Sequence, residues 1–462
     1  MIGGERPGQV PRGRRGASVG EPAVTAQRGG QAQIIEQFVS IVAERGYVQT
    51  KVSELTARAR VSRAHFYELF KGKEDCFLSA QRELAAELVD EVARAVAAAA
   101  PRGALKAALA ALTDFAEQKP AEFTFVTHEA TLAGPRAWQQ RERMIAAIGD
   151  EVERCWERLP AETLLPDLPA RCLLGGAVRA LGMRMRRGQQ RPKALLGELL
   201  GWAKSYQVAK RTRKWSDLIT HAQPRRGRQD AVVGPIEPAP LPRGRHGVPP
   251  PVAKRSQRER LLHATGRVAA AEGYANATVA EIVAAAGVSR EVFYEHFHDK
   301  QEAFAETIKF VFEQLVAGSA GAFFGTDGPW PERIWRASAA FTGFIVGQPD
   351  LVHAVFVEPY AVAADVQRPD DFVVGFTLFL EDGYRYRPEA ARVPRIAGEA
   401  IGGVVLEAIN SYLRSGRTAE LPELFPGLAY ITLAPFMGAD AAYEFVVRKA
   451  REGDGDRSAD VH

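Results

Sequence analysis

The 462-residue chain is 46% hydrophobic and 25% charged, and its formal net charge is +4. This length suffices for two ordinary hydrophobic cores, and the composition is that of soluble globular proteins. There is no run of about 18 apolar residues, so we expect no membrane span. The first residues lack an apolar signal core and the three cysteines lack metal-ligand spacing, so we expect a cytoplasmic protein with reduced thiols.

Residues 1–30 are rich in Gly, Pro and Arg and have almost no periodic apolar residues. This composition predicts a disordered basic arm. The arm either follows DNA phosphates or the minor groove, or it is a solvated tail, and the sequence leaves both interpretations open.

Three helices are predicted after the arm, at about Ala32 to Arg45, Val52 to Ala59 and Arg63 to Leu69. Apolar residues recur at helical spacing in the first helix, and Gly46 ends it. Ser62 stands where a hydroxyl can cap the third helix. Two short helices joined by a tight turn are typical of the helix-turn-helix, whose second helix enters the DNA major groove.

The same pattern recurs from Val279 to Lys300 without a gap, 227 positions after Val52. In this copy Gly287 can adopt the left-handed conformation at the turn without side-chain cost. Far downstream, Gly175-Gly176 matches Gly402-Gly403 at the same offset, so the repeat spans a whole domain of about 200 residues. Identical residues of the two helix-turn-helix copies include Val52 and Val279, Glu54 and Glu281, Ser62 and Ser289, Arg63 and Arg290, Phe66 and Phe293, Tyr67 and Tyr294, and Lys73 and Lys300.

Helical periodicity continues through both units, punctuated by prolines and without a convincing strand. Each unit is therefore predicted to be all-α, with about nine helices in the first; the last predicted helix of the second unit spans 427–450. The predicted division is a disordered arm over 1–30, a first helix-turn-helix domain over 31–78, a first helical body over 79–209, a Pro-, Arg- and Gly-rich linker over 210–254, a second helix-turn-helix domain over 255–305, a second helical body over 306–451 and a disordered tail over 452–462.

Positive charge is concentrated around the linker. Residues 208–255 hold eleven Lys or Arg against three Asp or Glu, a local net charge of +8. The helix-turn-helix regions are near neutral, with seven basic against six acidic residues over 31–78 and seven against seven over 254–305. A non-specific electrostatic grip on a polyanion would therefore come largely from the linker.

The sequence GVSREVFYEHFHDKQEAF, which begins at Gly287, resembles the helix-turn-helix signature of the tetracycline-repressor-like (TetR) family of bacterial regulators. VSRAHFYELFKGKEDCF, which begins at Val61, is a more divergent copy. The resemblance implies a three-helix DNA-binding head, a connecting fourth helix and a larger helical body that binds an effector. In the family, the last two helices of the body pair with a second subunit in a four-helix bundle, and effector binding changes the separation of the two heads.

The fused repeat therefore predicts an intramolecular pseudo-dimer, in which helices near 168–208 pack on those near 393–450. A homodimer in which each unit pairs between chains is the alternative. The two heads would then meet two half-sites about one helical turn, or a multiple, apart on one face of DNA.

The resemblance also implies which residues contact DNA, with ordinary capping and packing as the alternative. Lys73 and Lys300 start the fourth helices, where an ammonium group and a helix N-terminus together favour a phosphate. The predicted DNA-binding residues are Lys51, Ser62, Arg63, His65, Tyr67 and Lys73 in the first unit, and Arg258, Arg260, Thr278, Ser289, Arg290, Val292, Tyr294, His296 and Lys300 in the second.

The first unit departs from the family pattern at its turn, where Arg60 replaces the glycine. A left-handed backbone at Arg60 would cost about 1 kcal/mol or more. Lys51 stands where Thr278 can cap the second helix, although Thr50 beside it is an alternative cap. We hypothesise that the two heads read different half-sites, or that one of them binds weakly.

Several residues in apolar helical stretches are candidates for an effector pocket, with core packing as the alternative. They are His128, Trp138, Trp156, His353, Phe356 and Phe376. The glycine pairs lack the preceding strand of a phosphate loop, which favours close helix–helix approach as their role.

These patterns predict a DNA-binding transcriptional regulator, specifically a repressor released by a small-molecule effector. Its predicted partners are a double-stranded DNA operator and that effector; no membrane partner, cofactor or metal is predicted. The first rival is a ligand-sensing or protein-interaction module in which one or both heads no longer bind DNA. An enzyme is disfavoured, because no Ser-His-Asp set, metal cluster or phosphate loop emerges from the sequence.

Overall fold

The computed structural model describes residues 21–189, 191–220, 237–239, 248–356 and 369–455. Most of the predicted linker and of the predicted tail, and the first 20 residues of the predicted arm, lie outside the described residues. Within the described ranges the chain is almost entirely helical, as predicted.

The helices of the first unit are α1 (Glu21–Gln49), α2 (Val52–Arg58), α3 (Arg63–Leu69), α4 (Lys73–Ala98), α5 (Ala104–Gln118), α6 (Pro120–Thr124), α7 (Ala130–Leu132), α8 (Pro135–Glu157), α9 (Ala170–Arg186), α10 (Leu196–Lys204) and α11 (Trp215–Thr220). Those of the second unit are α12 (Pro250–Glu272), α13 (Val279–Ala286), α14 (Arg290–His296), α15 (Lys300–Phe324), α16 (Trp330–Gly347), α17 (Pro349–Phe356), α18 (Pro369–Thr377), α19 (Ile396–Arg414), α20 (Leu421–Met437) and α21 (Ala439–Gly455).

Two short strands, β1 (Leu164–Pro166) and β2 (Gln207–Ala209), pair antiparallel, with Leu165 opposite Val208. The sequence did not predict them, because a three-residue strand is too short to show alternation. A π-helical segment follows α6 at Phe125–Glu129. The 3-10 helices are Pro101–Gly103, Pro192–Leu195, Lys210–Thr212, Leu378–Leu380, Gly383–Arg385, Pro388–Arg392 and Thr418–Glu420.

Several predicted boundaries were wrong. Helix α1 begins at Glu21, so the last ten residues of the predicted disordered arm are helical. The predicted linker was too long at both ends, because α11 reaches Thr220, where Leu218 is fully buried, and α12 already begins at Pro250.

Two glycines end helices; the sequence predicted the first of these ends and missed the second. Gly46 has φ 79° and breaks α1 where the sequence predicted it. The predicted helix over 427–450 is instead two helices, α20 and α21, which meet at Gly438 with φ 89°. Apolar periodicity continues across Gly438, and for this reason the break was missed.

Each head is a three-helix unit built on a buried aromatic residue of its third helix. Phe66 and Phe293 are both fully buried, and each packs against the phenylalanine four residues later, with ring centroids 5.5 and 5.6 Å apart. In the first unit the head continues into the body through Phe77, whose ring stacks on that of Phe125 at 4.2 Å. These phenylalanines are therefore core residues.

The two bodies contact each other through α9 and α19, where the close approach predicted from the glycine pairs is confirmed. A Cβ atom on Gly176 would lie 2.7 Å from the carbonyl oxygen of Ala400 and 2.7 Å from Cγ2 of Val404. A Cβ atom on Gly403 would lie 2.9 Å from Cβ of Arg179. Only residues without a side chain leave room for this crossing.

Hydrogen bonds of two buried tyrosines also join the bodies. The Tyr206 hydroxyl donates to the carbonyl oxygen of Ile431 at 2.7 Å. The Tyr430 hydroxyl donates to Oδ2 of Asp167 at 2.6 Å, and Oδ1 of the same carboxylate accepts from the backbone N–H groups of Lys214 and Trp215. Buried polar groups are stable when they are satisfied in this way.

Candidate nucleic-acid interface and ligand pocket

The third helix of each head, α3 or α14, is capped at its start by the predicted serine. Ser62 Oγ accepts from the backbone N–H of His65 at 3.0 Å, and Ser289 Oγ accepts from that of Val292 at 3.3 Å. A capping serine satisfies one of the free N–H groups at a helix start. Both serines remain exposed.

The exposed surface of these two helices presents an arginine and a tyrosine at matched positions. Arg63 and Arg290 are exposed, and the side chains of Tyr67 and Tyr294 are 50% and 49% exposed. In the second head the Arg290 guanidinium lies 5.7 Å from the centroid of the Tyr294 ring. An exposed large aromatic residue beside a cation on a short helix suits contact with a phosphate backbone and base edges.

The other predicted contact residues of the heads are less uniformly exposed. Lys51 is exposed, whereas His65 and Val292 are half-buried. His65 Nδ1 lies 3.1 Å from the carboxylate of Glu68, and its Nε2 lies 3.1 Å from where a Cβ atom of Gly30 would stand. Helix α1 thus reaches the start of α3 at a residue that the sequence placed in the disordered arm.

The second helix of each head is held differently in the two units. Thr278 and Glu281 form a complete capping box at the start of α13. Helix α2 has no side-chain cap, because Lys51 makes none and the Thr50 hydroxyl donates instead to the carbonyl oxygen of Gly46 at 2.8 Å. The alternative of a Thr50 cap is therefore wrong.

The turn of the first head adopts the left-handed backbone that the sequence identified as costly. Arg60 has φ 53°, and Gly287 at the matching position has φ 60°. We expect Arg60→Gly to stabilise the first head by about 0.5–1 kcal/mol, after the greater unfolded-state entropy of glycine is subtracted. Hydrogen exchange of the α2 and α3 amides measures this gain, and Arg60→Ala is the control because it keeps the strain. Equal protection in both variants would contradict the prediction.

The structure gives the ammonium groups of Lys73 and Lys300 partners inside their own heads, so their predicted phosphate contacts compete with internal hydrogen bonds. Lys300 Nζ donates to the carbonyl oxygens of Tyr274, Ala275 and Ala277 at 3.1, 3.1 and 2.9 Å. Lys73 Nζ does the same in the first head, with distances of 3.0, 3.4 and 3.1 Å to the carbonyl oxygens of residues 47, 48 and 50. All three ammonium hydrogens are used inside the head, so each lysine fastens the loop between the first two helices.

The environment of these lysines supports the same conclusion. Lys73 Nζ lies 4.2 Å from the centroid of the Tyr47 ring, and Lys300 Nζ lies 4.8 Å from that of Tyr274. Burial lowers the pKa of Lys73. We refer to each lysine with its three carbonyl partners as the lysine clamp.

Three further predicted DNA contacts of the second unit also have partners or buried atoms within the protein, although the side chain of Arg258 is 40% exposed. Arg260 is buried and donates to the carbonyl oxygen of Ala286, at the end of α13. Arg258 forms an ion pair with Glu306. Nε2 of His296 is buried, and burial, together with nearby cations, lowers the pKa of this histidine. Arg260 and Nε2 of His296 are inaccessible to DNA, and Arg258 would have to leave its carboxylate to reach a phosphate.

The second body contains an apolar pocket lined by α15, α16, α18, α19 and α20. Among the described residues, none that lines it is charged, and its polar side chains are hydroxyls. The lining residues are Val316, Ser319, Ile334, Ala337, Ser338, Phe341, Thr342, Gly375, Phe376, Phe379, Val405, Leu428 and Thr432.

Only one of the six predicted pocket residues, Phe376, lines this apolar pocket. His128 lines a smaller polar cavity of about 220 Å³ in the first unit, together with arginine side chains. Trp138, Trp156 and Phe356 are buried in packing contacts, and His353 is half-buried in α17, so their predicted pocket role is wrong for the apolar pocket. The lining of this pocket comes from five helices, and no local pattern in the sequence indicates that their faces converge.

Within the described residues, no helix is long and apolar enough to cross a membrane. Over the same ranges, no group of three or more His, Cys, Asp or Glu side chains is arranged to hold a metal ion.

Two helix-turn-helix heads with exposed Arg–Tyr surfaces, each joined to a helical body, define a DNA-binding transcriptional regulator. The family model of bacterial regulatory proteins, tetR family, matches the chain twice, at residues 34–80 and 261–307. The chain therefore carries the helix-turn-helix domain of the TetR family in tandem. Both matched segments are domains of bacterial regulatory proteins.

The chain is also similar to three solved structures. FadR of Bacillus subtilis in complex with stearoyl-CoA and FadR of Bacillus halodurans are each 18% identical with a TM-score of 0.33; they cover 38% of this chain, and the match spans 97% and 94% of theirs. A TetR family transcription regulator from Marinobacter aquaeolei VT8 is 16% identical with a TM-score of 0.25, over 44% of this chain and 97% of its own.

Proposed function

We propose that the chain is a cytoplasmic repressor that holds two non-identical heads on one operator and releases it when a small molecule binds the second body. The contact between α9 and α19 carries this proposal, because it joins the two bodies of one chain where a family member would join two subunits. The buried hydrogen bonds from Tyr206 to Ile431 and from Tyr430 to Asp167 support the same pairing. The chain would then be a monomer that functions as a pseudo-dimer.

The effector site of this proposal is the apolar pocket of the second body. The absence of charged side chains among its lining residues favours an uncharged ligand, because a charged group would lose its hydration without a counter-ion. The hydroxyls of Thr342 and Thr432 already donate to carbonyl oxygens of their own helices at 2.9 Å. Ser319 Oγ, by contrast, is buried without a hydrogen-bond partner, so it is free to bind one polar atom of the ligand.

The effector site is tested with ligands that share one carbon skeleton. In displacement of the neutral dye Nile red from the full chain, we expect 1-decanol to bind at least tenfold more tightly than decanoate or decylammonium. Ser319→Ala should weaken decanol binding about three- to tenfold, the contribution of one hydrogen bond, and leave the displacement by decane unchanged. Equal binding of decanol and decanoate, or an equal loss of decanol and decane binding in the variant, would contradict this assignment.

DNA binding is tested with fragments selected from random DNA. We expect Arg290→Ala to weaken binding of the selected sites by about 1–3 kcal/mol and Arg63→Ala to weaken it less. The reason is that α13 has a capping box and is followed by a glycine turn, whereas α2 is uncapped and is followed by a strained turn. Fluorescence anisotropy at fixed salt measures both affinities; equal losses on sites with two identical half-sites would contradict the difference between the heads.

The second candidate function is a ligand-sensing module whose first head no longer binds DNA, and the uncapped α2 and strained Arg60 favour it. In that case Arg63→Ala leaves affinity unchanged while Arg290→Ala abolishes sequence preference. The same pair of variants therefore separates the two candidates.

A further inference from the structure

Four ion pairs join the described parts of the two units, and in each of them the first unit provides the cation and the second unit the anion. An arginine of α8 and one of α9 share a single carboxylate on α19. A second arginine of α9 pairs with another carboxylate of α19, and the lysine that precedes α11 pairs with an aspartate of α21. The pairs are Arg141–Glu407, Arg179–Glu407, Arg184–Glu399 and Lys214–Asp440.

Three of these pairs are largely shielded from water. Arg141, whose side chain is 1% exposed, makes two parallel hydrogen bonds of 2.8 and 3.0 Å to the carboxylate of Glu407 and a third to the carbonyl oxygen of Thr127. Arg184 Nε donates to Glu399 at 2.6 Å, with both side chains at most 16% exposed. A buried charge that loses its partner is strongly destabilising, so these residues restrict which surface can pack here.

The charges break the symmetry of the repeat. Helices α9 and α19 correspond at the offset of 227, and Gly176 and Gly403 face each other, with 3.5 Å between Gly176 Cα and the site of a Cβ atom on Gly403. If the contact were symmetric, the residues at the corresponding positions of the other unit would form a second ion pair on the opposite side of this crossing. For the pairs between α9 and α19 the counterparts are uncharged: Arg179, Arg184, Glu399 and Glu407 correspond to Leu406, Ser411, Cys172 and Ala180.

We propose that the bundle surface of the first unit, formed by α8, α9 and α11, accepts only the bundle surface of a second unit, formed by α19 and α21. Two first units packed in this way would bury Arg179 against Ala180 and Arg184 against Cys172, with no carboxylate from the opposite unit. Two second units would bury Glu407 against Leu406. The pairing of two first units or of two second units leaves buried charges without a partner from the opposite unit. Its affinity is therefore lower, by roughly 100-fold or more, than that of the pairing between a first and a second unit.

This pairing rule has a consequence for DNA that rests on the proposed function. Every bundle, including one formed by exchange between two chains, contains one head of each kind. The operator is then read by α3 and α14 together and consists of two different half-sites. Pairing itself does not depend on DNA, so its test remains valid if the repressor proposal fails.

The test uses the folded full chain with a protease site inserted between residues 222 and 235. Two preparations, which differ only in an N-terminal tag, are cleaved, mixed and left to exchange. Capture of the first unit through one tag should retain an equal amount of second units. It should retain at least tenfold less of the first unit that carries the other tag. Retention of both first units in similar amounts, or separation of the cleaved halves, would overturn the proposal.

A charge exchange on the most isolated buried pair tests the cause. Glu399→Arg should reduce retention of the second unit by roughly 100-fold, and Arg184→Glu in the same chain should restore most of it. Glu452→Arg makes the same charge change on an exposed pair with Lys449 and should leave retention unchanged. Circular dichroism of the uncleaved chains confirms folding, and loss in Glu399→Arg without rescue in the double variant would refute the electrostatic cause.

Discussion

Gly176→Ala should weaken the contact between the two units, whereas Gly175→Ala, one residue earlier in the same helix, should not. The added methyl group at Gly176 would lie 2.7 Å from a backbone carbonyl oxygen on α19 and 2.9 Å from Cη2 of Trp202. Neither atom can move without displacing a helix or a buried indole. We expect the free energy of unfolding to fall by about 1–3 kcal/mol, the usual cost of overpacking.

Gly175 provides the matched control for this prediction. It is also buried in α9, but a Cβ atom there would have no neighbour within 4 Å beyond its own helix backbone. Gly175→Ala should therefore stabilise the chain by up to about 1 kcal/mol, because alanine favours a helix more than glycine does. Opposite signs from two adjacent glycines would identify the crossing of α9 and α19 as the cause; equal signs in guanidinium unfolding would contradict it.

The same substitution tests the functional role of the bundle. If the relative position of the heads is set where α9 crosses α19, Gly176→Ala should also weaken binding of the selected DNA sites, and Gly175→Ala should not. Binding that is unchanged in both variants, despite the loss of stability, would mean that the heads are positioned elsewhere.

The parts of the fold that repeat in the sequence were predicted best. Two copies of a spaced pattern identify the heads, and the serine caps of α3 and α14 and the left-handed turn at Arg60 follow from local rules. The glycine pairs predicted the close approach for the same reason, since a missing side chain has few other uses inside a helix. Each of these features depends on residues close together in the chain.

The internal partners of several cations were not predicted, because they depend on distant residues. A cation at a helix start predicts a phosphate contact, but Arg260 is buried at the C-terminal end of α13, 26 residues away. Glu407 meets Arg141 across 266 residues, and no local pattern indicates that α19 needs a buried carboxylate. The apolar pocket shows the same limit, because its five lining helices each have an ordinary amphipathic sequence.

The lysine clamp can be distinguished from a phosphate contact by experiment. Lys300→Met removes three hydrogen bonds from a charged donor and should destabilise the second head by about 2–4 kcal/mol, since bonds to charged groups contribute roughly 1.5–3 kcal/mol each and water replaces part of them. The loop before α13 would loosen, α14 would lose its fixed position, and DNA affinity should fall by at least tenfold.

The salt dependence of binding separates the two roles of Lys300. A lysine that neutralises a phosphate contributes about 0.9 to the slope of log affinity against log salt. A clamp lysine donates its hydrogen bonds to the carbonyl oxygens of Tyr274, Ala275 and Ala277, so it contributes nothing to that slope. Lys300→Met should therefore lower DNA affinity at every salt concentration and leave the slope unchanged. Arg290→Ala, at an exposed position of α14, should not lower the stability of the head.

Lys73→Met extends this test to the first head, where the same three-carbonyl geometry predicts the same loss of stability. Hydrogen exchange of the two heads in the two variants resolves which head loosens, because each clamp lies wholly within its own head. A slope that falls by about 0.9 with unchanged protection would return Lys300 to the phosphate role that the sequence predicted. If the hydrogen bonds of the lysine clamp hold the head together, hydrogen exchange becomes faster only in the head that lost its lysine and does not become slower in either head.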